Sequence, residues 1–499
     1  MTRTLSQLQS AGNRNIFFSL ALGFAVALAV CVPADAQIPL VQISKDMFHN
    51  AASQHKSEVE PDTYSWGSTM VAAFQVARIN GGGGADLGFS TSTDGGKTWT
   101  QGYLPGLTDN YKGGSFSAAS DASVVYDAKH GYWLISSLPI SDSGDDIYVS
   151  RSKDGIHWGK PIPTDTSLGD DKNWITCDNT ASSPFYGNCY TEWSGVFMST
   201  STDGGLHWGP AKTVNGAFGT GAEQLVLPNG TVVVPFLGNE MQAFTSTDGG
   251  KSWGHTVTIS NVNTFQGNSS LRSVGLPFPS TGIDKAGKIY VVWSDCSFRS
   301  GCPNSSPNDL VMSTSTNGTK WTKTVRIPID PLTSKVNHFI PGLAVDRATS
   351  GKTAHLTVTY YYYPDANCTD STCQLDVGFT TSQDGGKTWT AGKKLAGPMK
   401  ISWLPTTFSG PMVADYLSSS YVDGNAFGVF IVAKAPSGGL LNQAAYTTKN
   451  PLVVADDEAR FSSRGEKRQR ILVSEHPWTN FHDTERVPPR SHSEQAPEK

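Results

Sequence analysis

The fold is predicted by a short repeat, first met as STDGGKTW at residues 92–99. Further copies, complete or shortened, begin at Ser152, Ser201, Ser246, Ser315 and Ser382. The starts lie 45 to 69 residues apart, and each copy ends on a tryptophan. Self-similarity at such a period indicates that one supersecondary unit is repeated along the chain.

The residue types of the repeat indicate a hairpin turn. An Asp carboxylate can accept backbone N–H groups across a turn, Gly adopts positive φ without steric cost, and a Ser or Thr hydroxyl can close the loop. The tryptophan that follows has a large apolar surface to bury between neighbouring sheets. We therefore predict a structural, non-catalytic role for the acidic or amide residue of each copy, namely Asp94, Asp154, Asp203, Asp248, Asn317 and Asp384.

The segments between copies read as short antiparallel strands. In the second unit, 121–126 and 132–138 alternate in polarity around a turn, and 146–151 leads into the next copy. Four such strands per unit are typical of a β-propeller blade, so we predict an all-β propeller over residues 37–451.

The last unit, from Asp415 to Thr447, contains only three predicted strands and no repeat. The strand-like stretch 38–44 could complete this sheet and close the ring, which would leave no exposed sheet edge. We therefore predict seven four-stranded blades, with six as the alternative.

Both ends of the chain differ from this pattern. Arg3 and Arg14 precede an apolar run, 16–32, that ends at Ala34-Asp35-Ala36. This predicts a signal peptide over 1–36, cleaved near Ala36, and a secreted or periplasmic protein; an uncleaved membrane anchor is the alternative. Residues 452–499 are rich in charge and proline, which predicts a disordered charged tail.

Cys31 falls in the predicted signal peptide, which leaves six of the seven cysteines. An even number of cysteines in an exported chain is typical of disulfides. Proximity along the sequence favours the pairs Cys177 with Cys189, Cys296 with Cys302, and Cys368 with Cys373. Zinc is the weaker alternative, because no close Cys or His spacing typical of a zinc site accompanies them.

Composition excludes several classes of function. Only 16% of residues are charged and the net charge is −5. No basic stripe interrupts residues 37–451, which argues against a nucleic-acid partner. We expect no membrane contact after signal cleavage, and a monomer.

The repeats resemble the Asp-boxes of the bacterial neuraminidase repeat, and residues 37–450 resemble the sialidase superfamily of secreted propellers. That superfamily contains sialidases, other glycoside hydrolases and non-catalytic binders, so the fold alone does not assign a function. The stretches 171–174 and 290–295 also resemble bacterial secreted proteins often labelled exo-sialidase.

A sialidase, as the resemblance implies, carries an early Arg-Ile-Pro motif, three arginines on the substrate carboxylate, a Tyr/Glu nucleophilic pair and an Asp acid/base. Here Arg78-Ile79-Asn80 lacks the proline, and Arg326-Ile327-Pro328 comes late and follows a repeat. We therefore carry no residue of the sialidase catalytic set over to this chain.

The strand pattern predicts which residues share a functional face. The repeats lie between the third and fourth strands, so the opposite face is built from loops between blades and between second and third strands. Alignment of the first and second strands brings a mainly acidic set to the mouth of that face: Asp62, Asp121, Asp171, Lys172, Glu192, Trp193, Glu223, Arg272, Asp295, Arg299, His338 and Asp415.

This acidic mouth favours general acid/base work on a neutral glycoside. We predict the catalytic carboxyls among Glu192, Asp295, Asp171 and Glu223, and substrate-binding residues among Arg78, Arg272, Arg299, Trp193, Asp62, Asp121, His338 and Asp415. A sialoside would need converging arginines, which the excess of carboxylates opposes.

The predicted function is thus a secreted glycoside hydrolase acting on a glycan or glycoconjugate. The alternatives are a non-catalytic glycan- or protein-binding propeller, and an exo-sialidase with a divergent arginine site. No cofactor is required for these functions, although clustered oxygens could bind Ca²⁺.

Overall fold

The computed structural model describes residues 38–167, 171–452, 460–462 and 466–468. The predicted signal peptide and most of the predicted tail lie outside this part of the chain. The described residues form an all-β propeller, with two short 3-10 turns at Gly351–Thr353 and Ile401–Trp403. None of the described helical segments is long and apolar enough to cross a membrane.

After the N-terminal strand β1 (Leu40–Gln42), the largest sheet has nine strands in two successive meanders. The first meander contains β2 (Glu58–Trp66), β3 (Thr69–Arg78), β4 (Gly84–Ser92) and β5 (Thr100–Tyr103). The second contains β6 (Ala118–Asp127), β7 (Tyr132–Ser141), β8 (Gly144–Asp145), β9 (Ile147–Ser152) and β10 (Ile162–Asp165). One residue pair, Gly84 with Ala119, joins the two meanders.

The next three sheets follow in chain order. A three-stranded sheet contains β11 (Trp174–Cys177), β12 (Cys189–Trp193) and β13 (Phe197–Ser201). A four-stranded sheet contains β14 (Leu225–Val226), β15 (Val232–Leu237), β16 (Met241–Ser246) and β17 (Val257–Ser260). The next contains β18 (Ser280–Ile283), β19 (Ile289–Asp295), β20 (Asp309–Ser315) and β21 (Val325–Arg326).

Two further four-stranded sheets complete the fold. One contains β22 (Asn337–Val345), β23 (Leu356–Tyr363), β24 (Leu375–Ser382) and β26 (Lys393–Met399), beside the short strand β25 (Thr388–Thr390). After the hairpin β27 (Thr406–Thr407) and β28 (Gly410–Pro411), the last sheet contains β29 (Ser418–Val422), β30 (Asn425–Ala433) and β31 (Gln443–Thr448). In the predicted tail, β32 (Arg460–Ser462) pairs with β25.

The predicted count of seven or six separate four-stranded blades is wrong as a description of the hydrogen-bonded sheets. Five sheets are separate blades, and one of these has three strands. The remaining sheet merges two meanders, because β4 and β6 come close enough to pair at Gly84 and Ala119. The absence of a side chain on the neighbouring Gly83 permits this approach, since a Cβ there would lie 2.8 Å from the Ala119 carbonyl oxygen.

The last sheet is completed by the N-terminal strand, in the position that the sequence predicts. β1 pairs with β31 through Leu40 with Thr448, Val41 with Thr447 and Gln42 with Tyr446. Immediately downstream, the Ile43 N–H donates to the Ala445 carbonyl at 2.9 Å. The two ends of the described propeller are thereby held in one sheet.

The repeat turns are held by their own polar groups. In the first turn, the Asp94 carboxylate accepts the N–H groups of Lys97 and Thr98 at 3.1 and 2.9 Å, and the Thr98 hydroxyl at 2.6 Å. The Ser92 hydroxyl donates to the same carboxylate at 2.8 Å. Gly95 and Gly96 have φ of 72° and 87°, a region that other residues rarely adopt. The geometry therefore explains each residue type of the repeat.

These turns predict a stability loss in acid. Hydrogen bonds from Thr98 lower the pKa of Asp94 to about 2. Because the folded pKa lies below the unfolded value, this stabilisation is complete above about pH 4 and disappears as the pH falls toward 2. Asp94→Asn should therefore be less stable than the wild type at pH 7 and equally stable near pH 2, as measured by urea unfolding.

The turn with an amide in place of the acid provides the matched control. Asn317 accepts the Thr319 and Lys320 N–H groups without a titrating charge. Asn317→Asp should add a stabilisation that is lost over the same acid range. Parallel pH profiles for the Asp94→Asn variant and the wild type would contradict this account.

The three predicted disulfides are confirmed. They join Cys177 to Cys189, Cys296 to Cys302, and Cys368 to Cys373. Cys177 and Cys189 face each other across β11 and β12, with their Cα atoms 4.0 Å apart. Disulfides of this number are typical of proteins that fold in an oxidising compartment.

Candidate functional site

The site is built on the first strand of each sheet or meander. These strands contact one another in a closed circle: β2, β6, β11, β14, β18, β22 and β29. Several of them carry a bulge, with register shifts between Val59 and Asp62 and between Ser120 and Ser123. Glu60 and Asp121 at these bulges have φ of 52° and 49°. A bulge adds a residue and redirects a side chain, and here it presents acids to the axis.

Six side chains form a charged network at the axis, which we call the axial cluster: Glu60, Asp121, Asp171, Lys172, Arg272 and Asp415. The Lys172 ammonium lies 3.1 Å from Asp415, 3.6 Å from Asp171, 3.7 Å from Asp121 and 3.9 Å from Glu60. The Lys172 side chain is only 8% exposed. One buried cation therefore lies within 4 Å of carboxyl groups from four separate parts of the chain.

Arg272 is the second cation of the cluster. Its guanidinium binds Asp415 through two atoms, Nε at 3.0 Å and Nη2 at 2.5 Å. Burial raises the pKa of Asp415, but Arg272 and Lys172 outweigh this and hold it below its usual range. Burial has the opposite net result at Glu60, whose pKa is raised despite the charge of Lys172. The cluster thus contains both a firmly ionised carboxylate and a carboxyl that favours its proton.

The axis is nearly filled next to this cluster. A cavity of about 30 Å³ lies beside Lys172 and Asp415, against Phe278, Ile340 and Tyr416. Such a volume admits a water molecule and excludes a sugar. The predicted acidic mouth is therefore present as a buried ion network and not as an open binding site.

A larger cavity of about 570 Å³, the axial cavity, lies further along the axis. It is lined by the downstream parts of the first strands, from Asp62 and Glu223 to Trp66 and Arg347. Its volume falls in the range of small-molecule sites. The turn between β2 and β3 lies beside the first repeat turn, because Met70 near the start of β3 pairs with Ser92 at the end of β4. The axial cavity therefore lies toward the face that carries the turns, opposite to the face predicted from sequence.

Asp62 and Glu223 occupy matching places in this cavity. Asp62 accepts the Val124 N–H of the next meander at 2.7 Å, and Glu223 accepts the Thr281 N–H of the next sheet at 2.9 Å. At other junctions a hydroxyl does the same task, as where Ser280 accepts the Leu343 N–H at 2.9 Å. The hydrogen bond between sheets therefore does not require an acid, although here a buried acid, Asp62, and a half-buried acid, Glu223, accept it.

The environment raises the pKa of both carboxyls. Burial raises the pKa of Asp62 to about 7, against the hydrogen bonds it accepts. Burial also raises the pKa of Glu223 well above its usual range, and the charge of Asp62 adds to the rise. The pair therefore retains protons at pH values where ordinary carboxyls are ionised.

The four carboxyls predicted to be catalytic are not brought together. Asp171 belongs to the axial cluster and Glu223 lines the axial cavity. Asp295 lies buried at the end of β19, where the Arg468 guanidinium binds it at 2.6 Å. Glu192 is fully buried in β12, and burial raises its pKa against a hydrogen bond from the Ala222 backbone. The four residues thus lie in separate environments, and their catalytic role stays a prediction.

Two predicted substrate-binding residues lie inside the protein. Trp193 is 1% exposed and packs in a core with Leu138 and Ile147, so it cannot serve as a sugar platform. His338 is buried beside Tyr360, and burial lowers its pKa. Of the other predicted binders, Asp121 and Asp415 join the axial cluster, and Asp62 lines the axial cavity.

The three predicted arginines serve separate networks. Arg78 donates to the Gln75 amide oxygen at 3.1 Å and to the Gly83 carbonyl at 3.0 Å. Arg272 binds Asp415, whereas Arg299 binds Asp309 at 2.6 Å. The three guanidinium groups therefore bind different protein groups in this structure.

Asp309, Asp330 and His338 are the one group of described residues whose ligand atoms cluster as in a metal site. Both carboxylates already bind guanidinium groups: Arg326 lies 2.9 Å from Asp309 and 2.6 Å from Asp330. With Arg299 added, two guanidinium groups face three acids, Asp309, Asp330 and Glu466, so both carboxylates of the group are already bound by cations.

Sequence reasoning missed Glu60 as a site residue. Glu60 stands two residues before Asp62, as Asp121 stands two before Ser123, and Lys172 two before Trp174. This shared offset along the first strands is a signal that could have found it. The positive φ that directs these residues to the axis is not visible in the sequence.

No protein-family model matches this chain, and no curated protein matches it. Solved structures do. The alignment with the NanB sialidase from Streptococcus pneumoniae covers 82% of this chain and 70% of the sialidase chain, with 14% sequence identity and a TM-score of 0.41. The alignment with the intramolecular trans-sialidase from Ruminococcus gnavus covers 78% of this chain and 92% of the trans-sialidase chain, with 12% sequence identity and a TM-score of 0.39.

The alignment with an α-L-arabinofuranosidase from Fusarium graminearum covers 83% of this chain and 98% of the arabinofuranosidase chain, with 13% sequence identity and a TM-score of 0.39. These similar structures are sialidases and glycoside hydrolases, the kinds of protein that the sequence resemblance suggests. The function is argued below from the residues of the site.

Proposed function

We propose that this protein is a secreted glycoside hydrolase that cleaves its substrate in the axial cavity, with Asp62 and Glu223 as the carboxyl pair. The observation that carries the proposal is a pair of acids on the wall of a cavity of about 570 Å³: Asp62 is buried, Glu223 is half-buried, and the pKa of both carboxyls is raised. Burying a carboxyl where a hydroxyl would do is costly, and raised pKa values concentrate at functional sites.

The chemistry follows from the protonation of the pair. When one proton is lost, the remaining acid can protonate the glycosidic oxygen, while the carboxylate attacks the anomeric carbon or activates a water. The charge of the first carboxylate delays ionisation of the second, so the singly protonated state persists over a wide pH range. Activity should fall at alkaline pH, as the acid loses its proton.

The test is turnover of a panel of aryl glycosides, including a sialoside, by the full chain and its variants. Asp62→Asn and Glu223→Gln keep an oxygen for the N–H between sheets and remove the acid. Each should lower kcat by about 100-fold or more, the usual contribution of a general acid or base. Asp86→Asn is the matched control, because Asp86 is equally buried with a raised pKa but does not line the cavity.

Two outcomes would redirect the proposal. If no glycoside is cleaved but a glycan array detects binding, the protein is a non-catalytic binder, a function favoured by the N–H groups that both carboxylates accept. If a sialoside is cleaved and Arg78→Ala, Arg272→Ala or Arg299→Ala abolishes the reaction, the protein is an exo-sialidase with a divergent site.

Three further points belong to this proposal. A seven-bladed ring follows if the two meanders of the largest sheet are counted separately, in line with the circle of seven first strands. Export through the signal peptide over 1–36 agrees with the three disulfides. We expect the mature protein to be a monomer.

A further inference from the structure

The rim of the axial cavity carries an exposed aromatic side chain. Trp66, at the end of β2, is 37% exposed and lines the cavity. Tyr126 stacks against it, with ring centroids 5.4 Å apart and an interplanar angle of 30°. This stacking fixes the orientation of the indole at the cavity entrance. The indole stays exposed there, although burial of its apolar surface would be favourable.

Arg347 lies on the same rim and reaches another sheet. It follows β22, yet its guanidinium carbon lies 4.3 Å from the centre of the Tyr64 ring in β2. It donates to the Tyr64 hydroxyl and, at 3.3 Å, to the Ser65 carbonyl. Arg347 is exposed, and the described residues provide it with no carboxylate within salt-bridge distance. Its positive charge is therefore not neutralised by a carboxylate, and its partners are the Tyr64 side chain and the Ser65 carbonyl.

We propose that Tyr64, Trp66 and Arg347 form a sugar-binding subsite at the entrance of the axial cavity. A pyranose ring would stack its C–H face on Trp66, and Arg347 would leave the Tyr64 ring to donate to the sugar hydroxyls. Aromatic side chains combined with a few placed polar groups are typical of such pockets. The inference rests on the proposed function, since it takes the ligand class from that proposal.

The subsite places the substrate along the cavity. The inner end of the axial cavity carries Asp62 and Glu223, and the rim of the cavity carries Trp66 and Arg347. A sugar at the rim and a scissile bond at the carboxyl pair would belong to one extended chain. The ligand class is therefore a neutral oligosaccharide of several units, bound with its reacting end inward.

The experiment measures binding of cellohexaose, xylohexaose, maltohexaose and chitohexaose to the full-length Asp62→Asn variant by calorimetry. Trp66→Ala in this background should weaken binding of the preferred hexasaccharide about tenfold, the loss expected for a stacking contact worth about 1.4 kcal/mol. Arg347→Met should weaken it by a smaller factor. Trp403→Ala is the matched control, since Trp403 is also partly exposed but lies outside the cavity lining.

The outcomes separate this inference from the proposed function. If Trp66→Ala has no more effect than Trp403→Ala, or no hexasaccharide binds, the subsite is refuted, whether or not aryl glycosides are cleaved. If binding depends on Trp66 but no glycoside is cleaved, the subsite stands and the hydrolytic function is refuted.

Discussion

Replacing Lys172 with methionine should destabilise the folded protein by about 3–5 kcal/mol at pH 7, the usual result of removing one partner from a buried ion network. The methionine fills a similar volume, so the loss reports the charge and not a cavity. Without the ammonium, Asp121, Asp171 and Asp415 would face one another with Arg272 as the remaining cation of the cluster. Urea unfolding followed by tryptophan fluorescence measures the change.

The matched control is Lys394→Met. The Lys394 ammonium lies 2.6 Å from Asp376, which is closer than any contact of Lys172, but its side chain is 43% exposed. The Asp376 side chain is only 3% exposed, but water reaches the ammonium and screens the pair, so its loss should cost less than the loss of Lys172. Equal losses for the two variants would show that burial of the axial cluster has no energetic role.

The penalty for the Lys172 variant should depend on pH. Burial lowers the pKa of Lys172, but the surrounding carboxylates outweigh it and raise that pKa well above its usual range. Its stabilisation is therefore complete below about pH 10 and is lost only as the pH rises further. The variant lacks this stabilisation, so its difference from the wild type should shrink above about pH 10.

Deleting residues 37–46 should destabilise the whole propeller and not only its first residues. This segment supplies the outer strand of the last sheet, and Ile43 is fully buried in the largest hydrophobic cluster. Loss of a buried isoleucine side chain alone costs about 2–5 kcal/mol. The deletion also exposes the edge of β31, so we expect a larger loss and a lower, less cooperative melting transition by calorimetry.

Single substitutions check that the effect comes from the strand. Ile43→Ala should reproduce about 2–5 kcal/mol of the loss. Gln42→Ala, at an exposed neighbouring position, should change stability much less. Unchanged cooperative melting after the deletion would refute the closure of the ring by β1.

Sequence reasoning was accurate where the determinants are local. The Asp94 turn depends on residues within four positions of one another, and the three disulfides join cysteines at most 12 positions apart. It did not show which acids would share an environment, because that depends on residues far apart in the sequence. Asp295 and Glu223 are both acids near strand ends, yet one is bound by Arg468 and the other lines the cavity.

The sequence by itself determined the all-β propeller, the disulfide pairing and the strand that completes the last sheet. These features follow from turn chemistry, strand periodicity and close cysteine spacing. Only the tertiary structure decided that Glu60, Asp121, Lys172 and Asp415 meet at the axis, and that Asp62 and Glu223 line a cavity instead. The physical reason is that bulges shift the register of the first strands, and a shift of one residue turns a side chain to the other face.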